Sequence, residues 1–234
     1  SVGKFLGTTN ALPSDANTAV KSERSHYFDI GFTYQLTAHL SLGVDGYYRK
    51  VRHIQDEGQF GKALIFSAFN YEQGRVRGVE FSGTYKGKKL SAYMNVSFSK
   101  AEARDIESGQ FNFDAAELGF INSHWVHLDH DQKIAASSGI AYQLNGATFS
   151  ADGLYGSGLR RGFGNTQHLP SYTQFNIAVA NKFDLGSFGK IEARLSAINL
   201  FDRSYQLRDG SGIGVGAPQF APRRTLYLAL TKRF

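Results

Sequence analysis

Three histidines recur at intervals of three in the run His124-Trp125-Val126-His127-Leu128-Asp129-His130-Asp131, with two carboxylates among them. Imidazole and carboxylate together suit Zn, Cu, Fe or Ni. His124, His127, His130 and Asp129 are therefore the candidate metal ligands of this chain. The spacing sets a condition on that reading. In an extended segment, residues three apart point to opposite sides. The four side chains converge only if the segment turns or coils; otherwise this is a His-rich loop that hydrogen-bonds its own surroundings.

A second set is basic: Arg160, Arg161, Arg203, Arg208, Arg223 and Arg224. Guanidinium forks match carboxylate and phosphate. Arg160, Arg161 and Arg208 are the candidates for an anionic ligand or an anionic lipid. The plainer expectation is solvated charge and ion pairs with Asp152, Glu192 or Asp202.

The remaining chemistry is sparse. Cys is absent, which excludes disulfides, thiolate metal sites and Cys nucleophiles. Gly210, Gly212, Gly214 and Gly216 imitate a phosphate loop, but no strand-to-helix context with Lys-Ser/Thr follows. No nucleophile elbow accompanies a Ser-His-Asp set. No catalytic residue and no cofactor is assigned, and the chain is not read as an enzyme. A net charge of +6 without a continuous basic face along the sequence argues against nucleic acid.

The elements that must carry these residues are strands. In residues 26–36, Phe28, Ile30, Phe32, Tyr34 and Leu36 alternate with Tyr27, Asp29, Gly31, Thr33 and Gln35. The same period of two covers residues 40–49, 79–85, 90–99, 132–144, 147–159, 172–183, 190–200 and 223–234. The strands are long, about 10–13 residues against a usual five or six. A tilted membrane strand needs about 9–11. No apolar run approaches the roughly 20 residues of a membrane helix. The 41% hydrophobic content and mean hydropathy of −0.31 suit strands that show lipid only alternate residues. Many aromatics, many Gly and few Pro fit long strands with interfacial girdles.

Connections alternate in length. Residues 37–39, 87–89, 145–146 and 184–189 are short; 55–65, 104–131, 160–171 and 201–222 are long. Short periplasmic turns and long outer loops are the barrel asymmetry. With residues 3–8 as one further strand the count is about ten. The fold class is thus all-β, an antiparallel transmembrane β-barrel in a bacterial outer membrane, with both termini periplasmic. Leu226, Leu228, Leu230 and Phe234 share one face of the last strand. A closed barrel pairs such a terminal strand, whereas an open edge invites aggregation. This face is read as an assembly signal for the barrel-insertion machinery and as an interfacial anchor.

Several motifs add a resemblance. Asn199-Leu200-Phe201-Asp202-Arg203-Ser204-Tyr205, then Gly212-Ile213-Gly214-Val215-Gly216-Ala217-Pro218-Gln219 and Arg223-Arg224, closely resemble the C-terminal end of TonB-dependent outer-membrane receptors. So do Glu23-Arg24-Ser25-His26-Tyr27, the stretch from Asn70-Tyr71-Glu72 to Gly78-Val79-Glu80, and Tyr155-Gly156-Ser157-Gly158-Leu159-Arg160. The resemblance implies a 22-stranded barrel, an N-terminal plug, a TonB box and uptake of a scarce nutrient such as a metal chelate. This chain has room for about ten strands and no segment that reads as a plug or TonB box. Ser1-Val2-Gly3-Lys4 does not open a signal peptide.

Two expectations follow. One is the C-terminal part of such a receptor barrel, whose partners are a plug and barrel half supplied elsewhere, outer-membrane lipid and lipopolysaccharide. The other is a small self-closed barrel acting as an anchor or narrow pore. In that case Asp45, Arg49, Glu80, Asp152, Glu192 and Arg194 would fill the lumen as a paired polar core.

Overall fold

The computed structural model describes residues 20–59, 66–186 and 189–232. The strand expected over residues 3–8 and the terminal Phe234 lie outside the described residues. The long strands are β1 (Arg24–Gln35), β2 (Leu40–Gln59), β3 (Phe66–Lys86), β4 (Leu90–Ser108), β6 (Ile134–Leu144), β7 (Ala147–Gly156), β10 (Tyr172–Asp184), β11 (Lys190–Ile198) and β14 (Thr225–Lys232). All nine pair antiparallel with their chain neighbours in one sheet, and the short β5 (Val126–His127) adds to β4. The short pairs β8 (Arg160–Arg161) with β9 (Gln167–His168), and β12 (Gln206–Arg208) with β13 (Gln219–Phe220), lie in loops.

Register shows why alternation was readable. Phe32 pairs with Val44, Val44 with Phe81, and Phe81 with Val96. Ile140 pairs with Ala151, Ala151 with Ile177, Ile177 with Ala197, and Ala197 with Leu226. One face is therefore apolar from strand to strand, and Ile30, Phe32, Phe81, Phe149 and Leu228 stand exposed on it. Exposed apolar area of this extent marks a surface made for lipid. Among the described residues no helix is long and apolar enough to cross a membrane.

The sheet is a contiguous part of a barrel. Among the described residues its end strands, β1 and β14, do not pair with each other, and all twelve residues of β1 are exposed. On the inner face Asp45, Glu80 and Asp152 are exposed among the described residues.

Strands β2, β3 and β4 run to 20, 21 and 19 residues, about twice what crosses a membrane. The sequence pattern hid these extensions because their phase changes. His53 (φ 56°) and Asp105 (φ 62°) lie in the left-handed region, which non-glycine residues seldom occupy. Pairing places both at one level, between Arg52↔Gln73 and Ile54↔Tyr71 on one side and Gln73↔Arg104 and Tyr71↔Ile106 on the other. Across that level Val51 and Ile54, and likewise Ala103 and Ile106, join the same cluster although three residues apart.

That cluster is the core, and it sits at the long-loop end of the sheet. Val51, Ile54, Phe69, Tyr71, Ala103 and Ile106 from the extensions meet Ile121, Val126 and Ile213 from the loops. Phe69 makes edge contacts with Tyr71 (5.1 Å between centroids) and Phe113 (5.0 Å), a favoured aromatic arrangement. The helix α1 (Ala115–Ser123) lies on β4 and buries Ile121. It is capped by Asp114, whose Oδ1 accepts the Glu117 N–H at 2.8 Å. The sequence reading placed only a loop there.

Candidate functional site

The long-loop end carries nearly all the residues singled out for chemistry. It begins with turns that fix the loops. Asn165 (φ 54°) and Asn199 (φ 52°) both sit in the left-handed region, where Asn is tolerated, and both are fully buried. Asn165 donates to the His127 carbonyl (2.9 Å) and accepts the Ile213 N–H (3.0 Å), which ties the His-rich loop to the 209–219 loop. Gly212 is required beside it, since a Cβ there would lie 2.2 Å from Asn165 Oδ1.

Asn199 accepts the Arg203 N–H (2.9 Å) and donates to the carbonyls of Arg203 (2.8 Å) and Pro222 (2.9 Å). Asp202 accepts from Arg223 Nε (2.8 Å) and Nη2 (2.5 Å) and from the Arg224 N–H (2.9 Å). These bonds hold its carboxyl well below the usual carboxylate range. The Asn-Leu-Phe-Asp motif is thus a clasp between the end of β11 and the start of β14.

The His-rich run is split among three environments. His124 stacks on Phe120 (4.3 Å) and is hydrogen-bonded to Ser123 Oγ and the Phe120 carbonyl. His127 Nδ1 meets Asp131 Oδ2 at 2.7 Å. His130 Nε2 accepts from Arg208 at 2.6 Å, which leaves the proton of a neutral ring on Nδ1, 3.8 Å from Asp129. Among the described residues no three His, Asp or Glu side chains gather as a metal-ligand group. Of the four candidate ligands the fold brings together only Asp129 and His130, and a guanidinium stands with them. The segment does turn, but its turn aims the rings apart.

Each candidate arginine meets an aspartate. Arg208 pairs with Asp129. Arg160 donates through Nη2 (2.8 Å) and Nε (3.1 Å) to Asp131. Arg161 reaches Asp209 at 3.2 Å. Burial pushes Asp131 up, but the bonds from His127, from the Ala101 N–H (2.7 Å) and from Arg160 outweigh it and hold the carboxyl below its usual value. Burial raises Asp129 despite Arg208 and His130. Asp56, beside them, is pushed by burial to about 7, and its Oδ2 has no hydrogen-bond partner among the described residues.

Sequence reasoning missed Asn165, Asp56 and the phase-changing His53 and Asp105. Only Asn165, next to Gly164, carried a local signal, that of an Asn-containing turn. The result is a structured mouth: buried ion pairs and two asparagine clasps hold the loops against an apolar core at one rim of the sheet.

Comparisons agree with this architecture. Residues 3–200 match the sequence model of the family described as TonB dependent receptor-like, beta-barrel. No curated protein sequence matches. Among solved structures, the siderophore receptor PiuA from Acinetobacter baumannii superposes with a TM-score of 0.65 at 16% identity, over 96% of this chain and 30% of that one. The FrpB iron transporter from Neisseria meningitidis (F3-3 variant) gives 0.60 at 16%, over 90% and 31%. The copper transporter OprC gives 0.62 at 15%, over 91% and 32%. The chain thus spans about a third of the length of the structures it matches. Strand pairing, the lipid face and the family match lead to one assignment: this chain belongs to the TonB-dependent receptor β-barrel family, outer-membrane transport proteins of Gram-negative bacteria.

Proposed function

We propose that this chain forms the C-terminal barrel portion and part of the outer mouth of a receptor that imports a metal chelate across the outer membrane. In this reading the remaining strands and a plug come from the rest of the receptor and complete the sheet at β1 and β14. The long-loop end faces outward, the short turns face the periplasm and both ends of the chain lie on the periplasmic side. Leu226, Leu228 and Leu230, exposed on β14, present an apolar edge face to the assembly machinery.

The observation that carries the reading is the folded mouth. The loop residues Ile121 and Ile213 pack on strand extensions that rise beyond the lipid band, and Asp129–Arg208 and Asp131–Arg160 pin those loops inward. A mouth held this way can present a preformed surface to a ligand. The metal is then cargo inside its chelator, so no protein ligand set is required of His124, His127 and His130.

Uptake of radiolabelled ferric chelates by cells carrying the whole receptor tests this. We expect uptake that requires TonB and falls at least about tenfold when residues 209–216 are deleted. Equal uptake without TonB would overturn it. Orientation is read separately: Ser211→Cys is expected to react with an impermeant maleimide in intact cells.

A further inference from the structure

On the lipid side of β1–β4, register assembles a charged band that no stretch of sequence displays. Going toward the mouth, the first row on that face is Ile30↔Gly46↔Val79↔Phe98. The next same-face row is Phe28↔Tyr48↔Arg77↔Lys100, then His26↔Lys50↔Arg75↔Glu102, then Arg24↔Arg52↔Gln73↔Arg104. Alternate residues share a face and rise about 7 Å per pair. The face therefore changes from apolar to cationic within one such step, across four strands and about 14 Å of sheet.

In these three rows Glu102 is the single acid. It is buried, and it takes Arg75 Nε at 2.9 Å and Lys100 Nζ at 2.7 Å, with Arg77 at 3.8 Å. One carboxylate thus orders three cations and leaves the band strongly positive. Lys50 and Arg52 are exposed and make no ion pair among the described residues. Trp125 lies under both Arg75 (4.1 Å) and Arg104 (5.1 Å), an aromatic ring among the cationic rows. A groove of about 490 Å³ opens between Tyr48, Lys50, Arg52, Arg75 and Trp125. Of the acids at its far rim, Glu107 is engaged by Lys21 and His53, and Glu72 is exposed.

Cations facing the acyl region of a bilayer are costly, whereas at headgroup depth they meet phosphate. The apolar row beneath fixes that depth. We propose that this band binds the phosphate groups of the outer-leaflet glycolipid, lipopolysaccharide, with Lys50, Arg52, Arg75, Arg77 and Lys100 as its donors. The assignment rests on the orientation proposed above. It differs from the sequence candidates: Arg160, Arg161 and Arg208 are each taken by an aspartate, while this band faces lipid.

The test uses the whole receptor purified in detergent and titrated with bis-phosphorylated lipid A, with bound lipid counted by native mass spectrometry. Lys50→Gln/Arg52→Gln removes two exposed cations that make no ion pair among the described residues, and should leave the fold intact, judged by heat-shifted gel mobility. We expect it to bind lipid A at least about tenfold more weakly, through the loss of charge-assisted contacts. Dephosphorylated lipid A should bind weakly to both forms. Lys50→Arg/Lys100→Arg and the inner-face Arg194→Gln should bind like the parent. Unchanged binding by the first variant, equal binding of dephosphorylated lipid, or displacement by millimolar inorganic phosphate alone would overturn the proposal. The readout needs no transport, so failed uptake and failed lipid binding are separate results.

Discussion

Asp56 is the carboxyl least at ease in this structure. Its Oδ1 accepts the Glu57 N–H at 2.9 Å, its Oδ2 has no partner among the described residues, and burial raises it from 3.8 to about 7. In the unfolded chain it ionises near 3.8, so between there and about 7 the folded state holds the extra proton. Stability from this group is full at acid pH and declines as pH rises through that window, by an amount on the order of 4 kcal/mol. Asp131 has the opposite sign: its lowered carboxyl stabilises the mouth at neutral pH and stops doing so only in strong acid. Asp56→Asn should therefore keep the mouth closed at pH 8, where the parent loosens. Limited proteolysis of the 109–131 loop at pH 6 and pH 8 checks it; an equally steep pH response in the variant would refute it. Nothing local in the sequence marks Asp56, because its environment comes from Asp129 and Arg208 some 70 to 150 residues away. Asn199 is the contrary case. Its motif was legible, and the structure supplied the reason, three hydrogen bonds made from a left-handed turn.

At the scale of elements, the sheet separates into two regimes. Below His53 and Asp105 the strands alternate strictly and face lipid; above them the extensions of β2, β3 and β4 pack with α1 and the loops. The first regime was readable by period two. The second was not, because two left-handed residues on neighbouring strands shift the phase at one level. Helix α1 escaped for another reason: nine residues give under three turns, too few for a period to stand out. Phe69 is the joint of the second regime, fully buried between Tyr71 and Phe113. Phe69→Ala should cost about 3–5 kcal/mol there. The loss should be local: faster hydrogen exchange in 66–72 and 103–121, with exchange in 135–156 unchanged. Uniform acceleration across both regions would show that the two regimes unfold together.

At the scale of the whole molecule, the two end strands of the described sheet, β1 and β14, decide the behaviour. An exposed strand with free N–H and C=O groups cannot sit in a bilayer, and β1 is such a strand among the described residues. The 234-residue chain refolded alone in detergent should give aggregates or a heat-insensitive gel band, while adding the rest of the receptor should restore a compact, heat-shifted species. A compact monomer from the chain alone would show that it closes by itself. Sequence alone determined the antiparallel membrane sheet, its apolar face, its short and long connections and its family, because each depends on period two or on contiguous motifs. Tertiary structure alone decided that the His-rich run splits, that each candidate arginine is matched by an aspartate and that a cationic band crosses four strands. Those features arise from register and from loop packing, which join residues far apart in the chain and leave no pattern along it.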